Sequence, residues 1–214
     1  MNSNITTIVF DLDGTLVQSH ENIYKTTTFT FNKLNIKYNL PEAEFYGTLG
    51  LHFEDIFDQF DIIVNDFDEF MRVYKENYFN FIDASKLFPD VKTVLDELKS
   101  REMKIALLTT KGQGQADKII NHFKLTHNFD FIMGRQTGFA HKPAPDMLLH
   151  ICNELHSKPE QTLMVGDTEM DILCGKNAGS KTCGVTYGYR TREDIVNLKP
   201  DFMIDKFSQV LDII

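Results

Sequence analysis

Ile8-Val9-Phe10-Asp11-Leu12-Asp13-Gly14-Thr15-Leu16 sets two carboxylates, two positions apart, where an apolar, β-branched run gives way to glycine. Side chains two apart along a strand share a face, so Asp11 and Asp13 leave the carboxyl end of a first strand together. Open α/β sheets bind their ligands at those strand ends. An unpaired buried carboxylate is heavily penalised. These two acids therefore call for a metal ion, a proton-transfer role or water, and not for a place in the core.

Working outward, Ile5–Phe10 reads as a short strand, and residues 19–84 hold no convincing strand at all. In that stretch Ile23, Phe31 and Leu34 mark one helical face around Glu21–Leu34. Phe53, Ile56, Phe57 and Phe60 mark a second, and Phe67, Phe70, Met71, Tyr74 and Tyr78 a third, at three- and four-residue spacing. From Leu87-Phe88-Pro89 onward, helices and strands alternate. Asp90–Arg101 is a helix, Lys104–Thr109 a strand, Gln113–Phe123 a helix and Phe129–Met133 a strand. Ala144–Leu155, Thr162–Val165, Thr168–Ala178 and Thr182–Val185 repeat the alternation, and Phe202–Ile204 is a last strand before a closing helix. Alternation at this spacing predicts parallel strands joined by crossover helices. The expected fold is α/β: a doubly wound, Rossmann-like parallel sheet from residues 1–18 and 85–214, with a helical domain inserted at 19–84. An insertion directly after the first acidic strand is expected over its carboxyl end as a lid, hinged near Val17–Ser19 and Ala84–Phe88.

Composition agrees with this plan. A chain of 214 residues exceeds one ordinary domain and falls short of two full ones, which suits a core with a modest insertion. Apolar and charged fractions of 42% and 25% are those of a soluble globular protein. The net charge of −9 argues against a nucleic-acid or anionic-membrane partner, since those require basic patches. It also repels an anionic substrate at long range, so attraction to one must be local. Cys152, Cys174 and Cys183 show no C-x-x-C spacing and read as small buried thiols, which points to reducing, cytoplasmic surroundings. The first residues carry no basic, apolar leader, and no apolar run approaches the ~20 residues of a membrane helix.

Four spots follow directly on strands: Asp11/Asp13, Thr109-Thr110, Lys142, and Gly166-Asp167-Thr168-Glu169-Met170-Asp171. In a doubly wound sheet they converge on one crevice. Carboxylates, a hydroxyl and an ammonium together suit a phosphate held with Mg²⁺, which takes one or two carboxylates plus phosphate oxygens and water. A calcium loop is rejected: glycine stands fourth from Asp11 instead of sixth, and Asn22 holds the place of the closing Glu. Gly112-Gln113-Gly114 is only a fragment of a dinucleotide fingerprint, with Asp117 where its third glycine belongs, and it reads better as a tight strand-to-helix turn. No Walker lysine motif and no G-x-S-x-G elbow occur. His141 reads as a loop histidine.

These motifs resemble those of haloacid dehalogenase superfamily hydrolases, in the branch with a helical cap after the first motif. Asp11-Leu12-Asp13-Gly14-Thr15-Leu16 resembles the first motif and Leu107-Leu108-Thr109 the second. Lys142-Pro143-Ala144-Pro145-Asp146 resembles the third, and Gly166-Asp167-Thr168-x-x-Asp171 the fourth. The resemblance implies a Mg²⁺-dependent phosphatase. Asp11 would be the nucleophile that forms an aspartyl-phosphate, and Asp13 the acid and base. Lys142 and the metal would cancel charge, and Thr109, with backbone N–H groups nearby, would hold phosphoryl oxygens. The metal ligands would be Asp11, the Asp13 carbonyl and Asp167, with Asp171 on a metal-bound water. Thr110, Lys111, and Gly50 and His52 in the cap join Thr109 and Lys142 as residues expected to bind the substrate, a small phosphorylated metabolite. Such proteins are monomers or homodimers.

Within the superfamily, Asp13 argues against the dehalogenase branch. Ile23 and Phe53 stand where the phosphoglucomutase branch carries a histidine and an arginine, which disfavours a mutase. Gly184-Val185-Thr186-Tyr187-Gly188-Tyr189 resembles phosphoglycolate phosphatases. Thr109-Thr110-Lys111, Leu49-Gly50-Leu51-His52 and Lys199-Pro200-Asp201-Phe202-Met203-Ile204-Asp205-Lys206 resemble pyrophosphatases of the same subfamily, and Thr110 departs from the usual asparagine. The expected substrate is phosphoglycolate-like, with inorganic pyrophosphate as the alternative. A non-catalytic phosphate-binding protein would lack Asp11, Asp13 or Lys142, and all three are present.

Overall fold

Every residue of the first strand, β1 (Thr7–Phe10), is buried, as befits a parallel strand covered on both faces. In the computed structural model, which describes residues 4–214, the chain forms two units. One comprises the chain up to Val17 together with Leu87–Ile214, and the other Gln18–Lys86.

The second unit is helical. After β2 (Val17–Gln18) come α1 (His20–Lys33), α2 (Glu42–Thr48), α3 (Phe53–Gln59) and α4 (Phe67–Asn77), then a 3₁₀ helix (Tyr78–Ala84) and β3 (Lys86–Leu87). β2 and β3 pair, so the two crossings form a two-stranded ribbon that the sequence pattern does not announce. The aromatic stripes are this unit's core. Phe31 is fully buried, with the rings of Tyr38, Phe57 and Phe70 at 4.9, 5.0 and 5.4 Å. Asp66 caps α4, its side chain accepting the Glu69 N–H at 2.9 Å. The buried threonines of α1 donate to carbonyls one turn back, Thr27 to Ile23 at 2.7 Å and Thr30 to Thr26 at 2.7 Å, so no hydroxyl is stranded.

The first unit continues through α5 (Val91–Ser100), β4 (Lys104–Gly112), α6 (Gln113–His122), β5 (Phe131–Arg135), α7 (Asp146–Glu154), β6 (Thr162–Gly166), α8 (Glu169–Ala178), β7 (Lys181–Val185), α9 (Arg192–Asn197) and β8 (Phe202–Ile204). The sheet order is β5-β4-β1-β6-β7-β8, and its strands pair in parallel. The expected doubly wound α/β sheet is the fold observed. From β1 the chain builds outward one way through β4 and β5, then the other way through β6, β7 and β8. That reversal makes the carboxyl end of β1 the switch point, where such sheets open a crevice. Val9, Ala106, Leu108, Met133 and Met164 pack under Met147, Leu148, Ile151 and Cys174 as one core cluster. All three cysteines are buried, unpaired thiols.

Three local differences have simple causes. β4 runs past Thr109 to Gly112 because a register shift lets Gly112 pair with Arg135. α9 escapes a periodicity reading at six residues; it is started by Thr191, whose hydroxyl and N–H are both engaged by Asp194. The closing helix is a 3₁₀ turn, Phe207–Asp212, the usual form of so short a piece.

Replacing Phe31 by Ala is expected to destabilise the helical unit by about 3–5 kcal/mol, the cost of emptying a buried aromatic site, read from denaturant titration. A pH effect follows from Asp201, whose Oδ2 accepts the Thr182 N–H at 2.9 Å and hydroxyl at 3.1 Å while Lys181 pairs with Oδ1 at 2.8 Å. Burial pushes this carboxyl up, but those donors outweigh it and hold it below its ordinary value. Its stabilisation is therefore complete above the unfolded pKa of about 3.9 and is lost as pH falls through the lower folded value. Asp201→Asn should be less stable than the parent at pH 7, with the gap closing below about pH 4.

Candidate active site

Register delivers the functional side chains to one place. Phe10 pairs with Leu107 on one side and Val165 on the other, so Asp11 and Asp167 lie just past the ends of β1 and β6, and Thr109 lies two residues beyond that level within β4. The Asp11 N–H still donates to the Val165 carbonyl at 2.9 Å, which holds the residue in the sheet's frame. Beyond it the chain turns tightly. Leu16 and Val17 both donate to the Leu12 carbonyl, and the Gly14 N–H to Val17, each at 2.9 Å. Gly14 has φ +82°, and a Cβ there would meet the Asp167 carboxylate at 2.2 Å. Only glycine gives both the left-handed turn and that approach.

Asp167 is fully buried and held at both oxygens. The Thr15 hydroxyl donates to Oδ1 at 3.0 Å and the Tyr189 N–H to Oδ2 at 2.8 Å. Lys142, with a side chain 3% exposed, donates from Nζ to Asp11 Oδ1 at 2.6 Å, Asp171 Oδ1 at 2.5 Å and the Leu108 carbonyl at 3.2 Å. Those three acceptors match its three protons. Asp171 Oδ2 also accepts from the Thr168 N–H and hydroxyl at 3.1 and 2.8 Å, a capping box that starts α8. Asp171 thus accepts twice at Oδ2 and meets Lys142 at Oδ1, so it contacts both the lysine and the first turn of α8. Lys111 Nζ lies 3.0 Å from Asp13 Oδ2, and the Lys111 N–H donates to Thr109 Oγ1 at 3.2 Å. Thr110, between them, is half-buried.

Electrostatics show what this arrangement wants. Ligand atoms of Asp11, Asp167 and Asp171 lie within 4.8 Å of one another. Burial pushes Asp11 up to about 7; Lys142 opposes this, and Asp171 and Asp13 add to it. Asp167 is also pushed well above the carboxylate range, first by burial and then by Asp171 and Asp11. Burial pulls the Lys142 ammonium down, but Asp11 and Asp171 outweigh it and hold it above its ordinary value. Four carboxylates thus face two ammonium groups, and fully ionised they leave two negative charges unbalanced. One divalent cation cancels that excess and reverses the upward shifts. The residues present fit such an ion.

The structure therefore brings together Asp11, Asp13, Thr109, Thr110, Lys111, Lys142, Asp167 and Asp171. Gly50 and His52 belong to the helical unit, where Gly50 has φ +101° and His52 directly precedes α3. Sequence reasoning missed Thr15 and the Gly188-Tyr189 backbone as supports of Asp167. Thr15 lies inside the first motif, and Gly188-Tyr189 follows the next strand end, so position carried a signal that residue type did not.

A family model described as haloacid dehalogenase-like hydrolase matches residues 8–185. Pyrophosphatase PpaX of Anoxybacillus flavithermus is 32% identical over 214 residues, covering 99% of this chain and 97% of the relative. Pyrophosphatase PpaX of Bacillus cereus is 33% identical over 213 residues, 98% and 96% of the two chains. Among solved structures, a haloacid dehalogenase-like family hydrolase from Streptococcus pneumoniae superposes with TM-score 0.87 at 29% identity, covering 98% of each chain. A predicted phosphoglycolate phosphatase from Haemophilus somnus gives 0.85 at 27% identity, over 100% and 99% of the two chains.

Proposed function

The chain belongs to the haloacid dehalogenase-like hydrolase family, and on that premise we propose that it hydrolyses a small phosphoric substrate, with Mg²⁺ bound at Asp11, Asp167 and the Asp13 carbonyl, through a phosphoryl group carried on Asp11. The observation that supports this reading most is the charge imbalance at the strand ends: buried carboxylates, fixed donors and two negative charges left for a divalent cation. When bound, the ion supplies Lewis-acid charge cancellation for a phosphoryl group meeting a carboxylate.

The chain's own groups do the rest. Lys142 fixes the Asp11 rotamer through Oδ1, which aims the carboxylate as the nucleophile. An Asp11 oxygen bonds to phosphorus as the bond to the leaving oxygen breaks, and Asp13 gives that oxygen a proton. Asp13 then takes a proton from the water that attacks the same phosphorus, and inorganic phosphate leaves with Asp11 restored. Thr109 Oγ1 accepts the Lys111 N–H, which directs its own proton outward to a phosphoryl oxygen.

For the substrate, two observations favour pyrophosphate over the phosphoglycolate expected from sequence. The two curated relatives matched along nearly their whole length are named pyrophosphatases. Lys111 also stands 3.0 Å from Asp13, beside the leaving oxygen, where an anionic phosphate leaving group gives it a second partner and frees Asp13 to carry a proton. Phosphoglycolate stays the second reading because of the Gly184–Tyr189 stretch and the 27%-identical structural neighbour. The three buried free thiols support a reducing, cytoplasmic setting.

Steady-state kinetics with both substrates and a generic aryl phosphate test this directly. Pyrophosphate should have the higher kcat/KM, and a ~100-fold advantage for phosphoglycolate, about 2.7 kcal/mol, reverses the order. Asp11→Asn, nearly isosteric, should reduce turnover of every substrate to background; wild-type rates in that variant contradict the mechanism. Lys111→Met should lower kcat/KM for pyrophosphate by about 10- to 100-fold, the ~1.5–3 kcal/mol of a hydrogen bond to a charged group, and leave the aryl phosphate within a few-fold. Equal losses on both would remove Lys111 from leaving-group recognition.

A further inference from the structure

The segment joining β7 to α9, Thr186-Tyr187-Gly188-Tyr189-Arg190-Thr191, carries no role in the chemistry above, yet it wraps Asp167 closely. A Cβ on Gly188 would lie 2.2 Å from the Asp167 Cβ, and the next residue donates its N–H to Asp167 Oδ2. Before that contact the segment is anchored twice. Thr186 N–H donates to the Ile204 carbonyl at 3.0 Å. The Tyr187 hydroxyl donates to the Thr15 carbonyl at 3.1 Å, with its ring 4.6 Å from Phe88. Thr15 in turn donates to Asp167 Oδ1, so this side of the segment and the Asp167 carboxylate form one hydrogen-bonded circuit.

On the far side of Tyr189 the anchor is Arg190. Its guanidinium meets Glu169 through two parallel bonds, Nε to Oε2 and Nη2 to Oε1, both at 2.8 Å. Glu169 is the first residue of α8, two positions after Asp167. The pair therefore joins the residue that follows the donor, Tyr189, to the backbone that carries the acceptor, Asp167. Two-point guanidinium–carboxylate contact fixes orientation as well as distance, and side-chain exposures of 12% and 29% take it out of the class of solvated surface pairs.

We propose that the Arg190–Glu169 pair is a positioning clamp: it holds the 186–191 segment against Asp167 and thereby sets how tightly the carboxylate cluster binds a divalent cation. The inference rests on the cation reading of that cluster. Neither clamp residue touches substrate; both act through the Tyr189 N–H and the packing of Gly188. Partners one shell removed from a metal ligand typically hold 10- to 100-fold of its affinity.

The test is Mg²⁺ titration of the purified protein by calorimetry, with thermal unfolding in the absence of Mg²⁺ recorded alongside. Glu169→Gln and Arg190→Met should each bind Mg²⁺ about 10- to 100-fold more weakly while unfolding within a few degrees of the parent. The double variant should bind no more weakly than either single one, because the two side chains act as a unit. Should Arg190→Met fail to fold, the isosteric Glu169→Gln decides the matter alone. Gly188→Ala should weaken Mg²⁺ binding by a different route, since its Cβ must displace Asp167 or the segment. Clamp variants that bind Mg²⁺ within about twofold of the parent, or losses that add fully in the double variant, overturn the clamp. A parent protein that takes up no Mg²⁺ overturns the cation reading and the clamp together.

Discussion

Lys142 Nζ lies between Asp11 and Asp171, 2.6 Å from one carboxylate and 2.5 Å from the other, with all three groups nearly closed to solvent. In water such a pair is worth little, but at a buried strand end each carboxylate without a partner costs several kcal/mol. The surrounding structure answers that constraint. Asp167 receives a hydroxyl and a backbone N–H, Asp171 receives the start of α8, and Asp13 receives Lys111. Even so, the acids outnumber the ammonium groups, and Asp11 remains pushed up to about 7 by burial and its acidic neighbours. A site with this much uncancelled negative charge is compatible with a divalent cation, whose charge offsets the excess.

The fold makes such a concentration of acids possible. Parallel pairing sets Phe10 level with Leu107 and Val165, which brings the residues that follow in β4, β1 and β6 to the same end of the sheet, and the reversal of strand order at β1 leaves a gap between crossover connections there. The net charge of −9 makes the protein as a whole repel an anionic substrate, so under the proposed function the attractive groups have to be local and oriented: Lys142, Lys111, Thr109 and a divalent cation.

Much of this was legible in the sequence, because its signals are local. Asp11 and Asp13 stand where an apolar run meets glycine, although β1 ends at Phe10 and a tight turn, not strand alternation, places them; the phenylalanines of residues 53–78 repeat at helical spacing, and strand–helix alternation implies a parallel sheet. What escaped depends on partners distant in the chain. The β2–β3 ribbon joins residues 17–18 to 86–87, and β4 extends to Gly112 only because β5 lies beside it. Thr15, Gly188 and Tyr189 support Asp167 by approaching it across long stretches of sequence. The contact of Lys111 with Asp13 joins two strand ends in the same way. Backbone donors and close approaches leave no residue-type signature, so a sequence shows the reacting groups more readily than the groups that hold them.

The central claim is that Asp11 carries the phosphoryl group in the course of the reaction. Its most direct test is an acid quench during turnover of saturating substrate with Mg²⁺, followed by peptide mass spectrometry. The account predicts a phosphoryl group on the peptide containing Asp11, absent when substrate is omitted and lost on standing as acyl phosphates are. Turnover at full rate with no phosphorylated Asp11 at any quench time, or with the phosphoryl group on another residue, would contradict it.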